Sequence, residues 1–235
     1  LCATAAGTVA GEAHPTKPTK CPAKCPAKCP AKESTKEEAG VPESSILDIL
    51  ANAPPGAPPM RAVTLFGNLD DEQIQEVCTG LLYLRHTCHE IVSPDNEDEE
   101  IIVHPVDFYI STWGGDALGM FAIYDLMRMM REDCPIFTYG LGKVMSAGVL
   151  LLAAGTKGER RIGKHTRIMM HSVRGGHYGA IHSLENEMKE TRYLQNQHID
   201  ALVEETNLTK RKLNNMLNKK VDVYLSAKEA VELGI

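Results

Sequence analysis

From about residue 45 onward the chain alternates short apolar runs with runs whose apolar residues recur at helical spacing, and each change of period falls on an acid- or glycine-bearing turn. That alternation favours a mixed α/β fold, a sheet with crossover helices, over an all-helical or all-β one. Arg61 to Gly67 (RAVTLFG) reads as a strand. Asp70 to Arg85 reads as a helix, because Asp70 and Asp71 sit at its start and Ile74, Val77, Leu81 and Leu84 share one face. Val106 to Ser111 (VDFYIS) is a short buried strand running into Trp113-Gly114-Gly115, and Ala117 to Met130 is the next helix. Pro135 to Tyr139 is a strand that leads to a helix opening at Ser146. Arg167 to Met170 is a further strand with His171 at its end, and Ala180 to Asn207 is one long helix. The repeated unit is strand, tight turn, helix, with the polar chemistry at the turns.

At 235 residues, 43% hydrophobic and 24% charged, the chain can bury one sizeable core. A formal net charge of −6 and the lack of a basic stripe beyond the N-terminal segment exclude a nucleic-acid binder. The longest apolar run, Ala147 to Ala154, is too short to span a bilayer. Residues 1–44 differ in kind: rich in Pro, Ala, Lys, Thr and Glu, they carry a triple Cys-Pro-Ala-Lys repeat and read as a disordered tail ahead of a domain spanning 45–235. Cys21, Cys25 and Cys29 have a spacing admissible for zinc, but His14 is a weak fourth ligand, so no metal is expected. Seven cysteines, an odd and scattered number, point to a reducing compartment. Cys78, on the first helix, is expected in the core. Leu1 to Ala13 lacks the basic and long apolar regions of a signal segment, and an opening on Leu1 with a close on Leu233-Gly234-Ile235 is the pattern of a fragment. Between His86 and Ile101 lies a polar insert with the acidic run Asp95 to Glu100. It reads as a solvated loop, since no glycine-centred ligand loop accompanies the carboxylates.

Gly142 to Gly155 places one hydroxyl, Ser146, between glycines at the mouth of an apolar helix. A small residue at a helix start is one reading. The other is a nucleophile beside unpaired N–H groups and a positive dipole end that suit an oxyanion. A serine nucleophile needs a base and a group that orients the base. Of nine histidines, His14, His86, His89, His104, His165, His177, His182 and His198 sit in polar stretches and read as surface residues. His171 follows the apolar Ile168-Met169-Met170 and precedes a turn with Gly175-Gly176, so it is either a structural histidine or a positioned base. Asp222, between β-branched residues and ahead of a Ser226-capped helix, is either a turn aspartate or the orienter. Gly114 and Gly115 form a tight turn and can also bring bare backbone N–H toward a carbonyl.

Taken together, several stretches resemble the Clp protease proteolytic subunit, a serine peptidase family: Arg61 to Gly67, Tyr109 to Gly115, Ala122 to Met127, Ser146-Ala147-Gly148 with Leu150 to Gly158, Arg167 to His171, and Asp222 to Ala230. The resemblance covers roughly Arg61 to Ile235. It implies the ClpP/crotonase-like α/β fold of repeated ββα units with a long handle helix. By position it implies Ser146 as nucleophile, His171 as general base, Asp222 as its orienter, and the backbone N–H groups of Gly115 and Ala147 as oxyanion donors. Trp113 stands where the family usually has Pro, and Val144 and Met145 where it has small residues, so the substrate edge is expected to be shaped differently.

The resemblance further implies stacked rings, commonly of seven copies, paired through the Ala180 to Asn207 helix, with the active sites enclosed and open only to peptides or unfolded chains. Ile181, Leu184, Met188, Ile199 and Leu202 recur on that helix, interrupted where Thr191 and Gln195 fall, which points to a partly buried middle. No phosphate-binding G-x-x-x-x-G-K-[ST] loop occurs, so ATP use falls to a partner, an AAA+ unfoldase by resemblance, and no cofactor is expected in this chain. The expected location is cytoplasmic, or the stroma or matrix of an organelle. Two other readings stay open. A crotonase-like acyl-CoA enzyme would use the same paired N–H groups without a Ser-His-Asp set, and a non-catalytic ring subunit would lack peptide hydrolysis altogether.

Overall fold

The computed structural model describes residues 60–92, 100–217 and 221–235. The tail reading, its cysteine repeat and His14, the boundary at residue 45 and the acidic run from Asp95 to Glu99 lie outside the described residues.

The first strand, β1 (Ala62–Leu69), buries alternate residues Val63 and Leu65 and ends at Leu69, where Asp70 turns the chain. Asp70 caps α1 (Asp71–His86) by accepting a hydrogen bond from the Gln73 N–H at 3.0 Å. Val77, Leu81 and Leu84 face inward from α1, while Cys78 is only partly buried against the core. The insert is not wholly loop: β2 (His89–Val92) and β3 (Glu100–Val103) pair antiparallel, His89 opposite Val103. Five β-branched residues, Ile91, Val92, Ile101, Ile102 and Val103, favour this ribbon, a signal that the surrounding acidic run obscures.

β4 (Val106–Gly115) and β5 (Ile136–Met145) are both longer than their apolar runs. Glycines at 114, 115, 140 and 142 read locally as breakers, yet the strands carry through them with a shift of register between Ile110 and Thr112. Between these strands runs α2 (Ala117–Met130), as its periodicity predicts. After β5 come α3 (Ala147–Ala153), β6 (Arg160–Ile162), β7 (Arg167–Met170), α4 (Ile181–Glu205), α5 (Lys210–Leu217), β8 (Val223–Ser226) and α6 (Ala227–Glu232). The main sheet has the order β1-β4-β5-β7-β8 with β6 also on β5; every pairing is parallel except β7 with β8. This is the expected mixed α/β fold.

All seven residues of α3 are buried. An apolar helix with no polar face has to be enclosed, and α3 packs on β4, β5, α2 and α4. Gly148 allows the close approach: a Cβ there would lie 2.4 Å from Thr112 Cγ2. The site-bearing turn before α3 is therefore anchored in the densest part of the core. No described helix is long and apolar enough to cross a membrane.

Candidate active site

Ser146 sits at the junction of β5 and α3 with φ 55° and ψ −118°, and among the described residues it is the one non-glycine residue with positive φ. Such backbone costs of order 1–3 kcal/mol for a side chain with a Cβ, so its surroundings must hold it. They do so from both sides. The Ser146 N–H donates to the Met169 carbonyl at 2.8 Å, fixing the turn to β7, and α3 begins at the next residue. Opposite lies Gly114, φ 89°, where a Cβ would come within 2.6 Å of Ser146 Cβ. At Gly115 a Cβ would collide with the Leu69 carbonyl oxygen at 2.1 Å. Gly114 thus lets the end of β4 lie against the serine turn, and Gly115 lets it lie against the end of β1.

A cleft of about 490 Å³ opens here, and Gly114, Gly115, Ser146, Ala147 and His171 all line it. On its wall Trp113 stands 58% exposed with the Lys143 ammonium 4.8 Å from its ring centre. The residue expected to reshape the substrate edge thus lines the cleft that holds Ser146.

β7 delivers His171 to this cleft. Its Nδ1 lies 2.5 Å from the Ser172 carbonyl oxygen. A carbonyl only accepts, so Nδ1 carries the proton, and in the neutral ring Nε2 is left with its lone pair. Asp222 precedes β8 and lies outside the cleft lining; its carboxylate accepts from the Arg174 guanidinium. The structure thus brings four of the five expected site residues to one cleft. Among the described residues no hydrogen bond joins Ser146 to His171 or His171 to Asp222.

One histidine read as a surface residue is inside. His198, on α4, is 7% exposed, lines the same cleft, and its Nε2 has no hydrogen-bond partner. Burial first, and then the neighbouring His171, push its pKa down to about 4. The available signal was spacing. Leu194, His198, Ala201, Leu202 and Glu205 recur at helical intervals; Thr191 and Gln195 share that face, which is fully buried only from His198 onward. Gln195 accepts from the Val173 N–H at 2.5 Å, tying the loop after His171 to α4. No group of three or more metal-ligating side chains is present among the described residues.

A strained serine on a strand-to-helix turn thus shares one cleft with an imidazole and a pair of glycines on a mixed α/β scaffold. The family model for Clp protease matches residues 59–235, and the chain belongs to the Clp protease family. It is 33% identical over 175 residues to the ATP-dependent Clp protease proteolytic subunit 4 of Rhodococcus jostii (strain RHA1), a match covering 74% of this chain and 81% of that protein.

Proposed function

We propose that the protein is a proteolytic subunit of an ATP-dependent Clp protease, a serine endopeptidase that hydrolyses peptide bonds of unfolded chains inside a ring-shaped chamber. The observation that carries this reading is Ser146 itself, held at positive φ in a cleft it shares with His171. Ser146 Oγ attacks the peptide carbonyl while His171 Nε2 takes its proton. The backbone N–H groups of Gly115 and Ala147 receive the oxyanion. His171 then protonates the leaving amine, and a water activated by the same nitrogen hydrolyses the acyl-enzyme. Asp222 orients His171 once its carboxylate leaves Arg174. Arg174 is 65% exposed and Asp222 32%, so the existing ion pair is worth about 0–1 kcal/mol, and His171 Nδ1–H exchanges the Ser172 carbonyl for the Asp222 carboxylate in the same step. ATP is consumed by a partner AAA+ unfoldase, and stacked rings of this subunit enclose the sites.

Labelling of the full chain, in its assembled form, with a fluorophosphonate tests the reading. The reagent should modify Ser146, and Ser146→Ala should lose peptide hydrolysis by about 10³-fold or more. A second reading, a ring subunit without activity, draws on the Arg174 pairing of Asp222. Equal hydrolysis by wild type and Ser146→Ala, or no labelling, would establish it instead.

A further inference from the structure

The cleft beside Ser146 contains a polar group that the hydrolytic mechanism does not use. His198 Nε2 is buried, is without a hydrogen bond, and belongs to a residue that lines the cleft. Buried polar atoms in folded proteins are nearly always paired, and an orphan in the wall of a cleft is a position a ligand can fill. Met120, Phe121, Val173 and Leu194 give the lining its apolar part, Asn68 and Thr191 add neutral polar side chains, and His198 brings the buried nitrogen without a partner. Charged side chains that reach the lining are already engaged: the Asp116 carboxylate accepts from the Gly119 N–H, and Arg174 holds Asp222. With its pKa at about 4, His198 itself is neutral at pH 7, offering a donor at one ring nitrogen and an acceptor at the other.

We infer that His198 determines specificity: it receives the side chain of the residue whose carbonyl Ser146 attacks, and selects one ending in an uncharged hydrogen-bonding group, a carboxamide (Gln or Asn) before all. That side chain branches one bond from the carbonyl, so with the carbonyl at Ser146 it extends into the cleft that His198 also lines. A carboxamide carries both a donor and an acceptor and satisfies Nε2 in either tautomer. A purely apolar side chain leaves Nε2 orphaned, and a site built to hydrogen-bond a substrate group discriminates against an analogue that lacks it. This rests on the peptidase reading above.

The test separates binding from cleavage. Trp113, the single tryptophan of the chain, lines the cleft and reports its occupancy by fluorescence. In assembled full-length protein carrying Ser146→Ala, two peptides identical except for Gln or Leu at that residue are titrated, with His198 intact or replaced by Leu or Asn. The intact protein should bind the Gln peptide the more tightly. His198→Leu should weaken that peptide about tenfold or more and leave the Leu peptide equal or tighter, reversing the preference. His198→Asn, which keeps a buried hydrogen-bonding group, should retain part of it. An unchanged ratio across the variants, or a preference of the intact protein for Leu, overturns the inference. Fluorophosphonate labelling of Ser146 in the unmutated protein is scored separately: its failure sinks the peptidase reading, whereas labelling with an unchanged ratio sinks the role of His198 alone.

Discussion

At the scale of single residues, the site depends on backbone that only particular side chains tolerate. Gly114 has φ 89° and faces Ser146 so closely that a Cβ would lie 2.6 Å from Ser146 Cβ and 2.9 Å from the Met145 carbonyl oxygen. Gly114→Ala is therefore strained twice over, by conformation and by contact. It should reduce peptide hydrolysis at least about 100-fold, since displacement of a reacting atom by an ångström costs that much, and circular dichroism should still show a folded protein. Wild-type rates in that variant would mean that the contact does not position the serine. His198 makes a second prediction, in pH. Its folded pKa of about 4 lies below the ordinary 6.5, so the unfolded chain binds the extra proton between those values. Stability from the neutral buried ring is complete above about pH 6.5 and is lost as pH falls toward 4, by roughly 3 kcal/mol at most. Denaturant unfolding at stepped pH should show this slope in wild type and a smaller one in His198→Leu; identical slopes would assign the acid sensitivity elsewhere. Ser146 and His171 were legible from the sequence because each interrupts an apolar run at a turn, a local signal. His198 was not, because its burial depends on which face of α4 meets α3, and that is decided by distant residues.

At the scale of elements, α4 is tied to α2 by a carboxylate with no exposure. Glu205 Oε1 accepts from Arg128 at 2.8 Å and Oε2 from Arg131 at 2.8 Å, and Tyr124 donates to it at 3.1 Å. Burial works against its charge, but the hydrogen bonds from Arg131 and Arg128 outweigh that, and its pKa is held below the usual carboxylate value. Removing the carboxylate leaves Arg131, 18% exposed, without an anionic partner, whereas Arg128, 41% exposed, keeps Glu204 at 2.9 Å. Glu205→Ala should destabilise the protein by about 1–3 kcal/mol in denaturant unfolding, and a loss below about 1 kcal/mol would show the arginines satisfied by water. The Arg174–Asp222 pair belongs to the opposite case, with Arg174 on an exposed loop. Arg174→Ala should change stability by less than about 1 kcal/mol and leave kcat at or above wild type, whereas Asp222→Asn should lower kcat about 10²–10⁴-fold. A large loss of kcat in Arg174→Ala would make the arginine part of the working site. Element identity read well from periodicity, as α2 shows residue for residue, while strand length did not. β4 and β5 run on through glycines because neighbouring strands supply the hydrogen bonds that local propensity would withhold. The β2–β3 ribbon escaped notice because each strand has only four residues, set within a polar stretch.

At the scale of the whole molecule, α4 divides into two parts with different roles. Its last turns bury His198, Ile199, Ala201, Leu202 and Glu205 against the core, whereas Ile181 and Met188 near its start are 72% and 57% exposed. A helix of 25 residues whose first half finds no partner among the described residues carries apolar side chains into water at a cost that association would remove. In the proposed assembly the partner is a second ring facing the first. On that reading, replacing Ile181 and Met188 together by Glu places like charges across a two-fold contact while leaving the core untouched. Sedimentation velocity should then show particles of half the wild-type mass with unchanged circular dichroism. Peptide hydrolysis should fall with the mass if pairing of the rings draws Asp222 from Arg174 to His171, because the loop that carries Arg174 is bound to α4 through Gln195. Half-mass rings with full activity would separate assembly from the triad, and full-mass particles would show that this face of α4 does not hold the rings together.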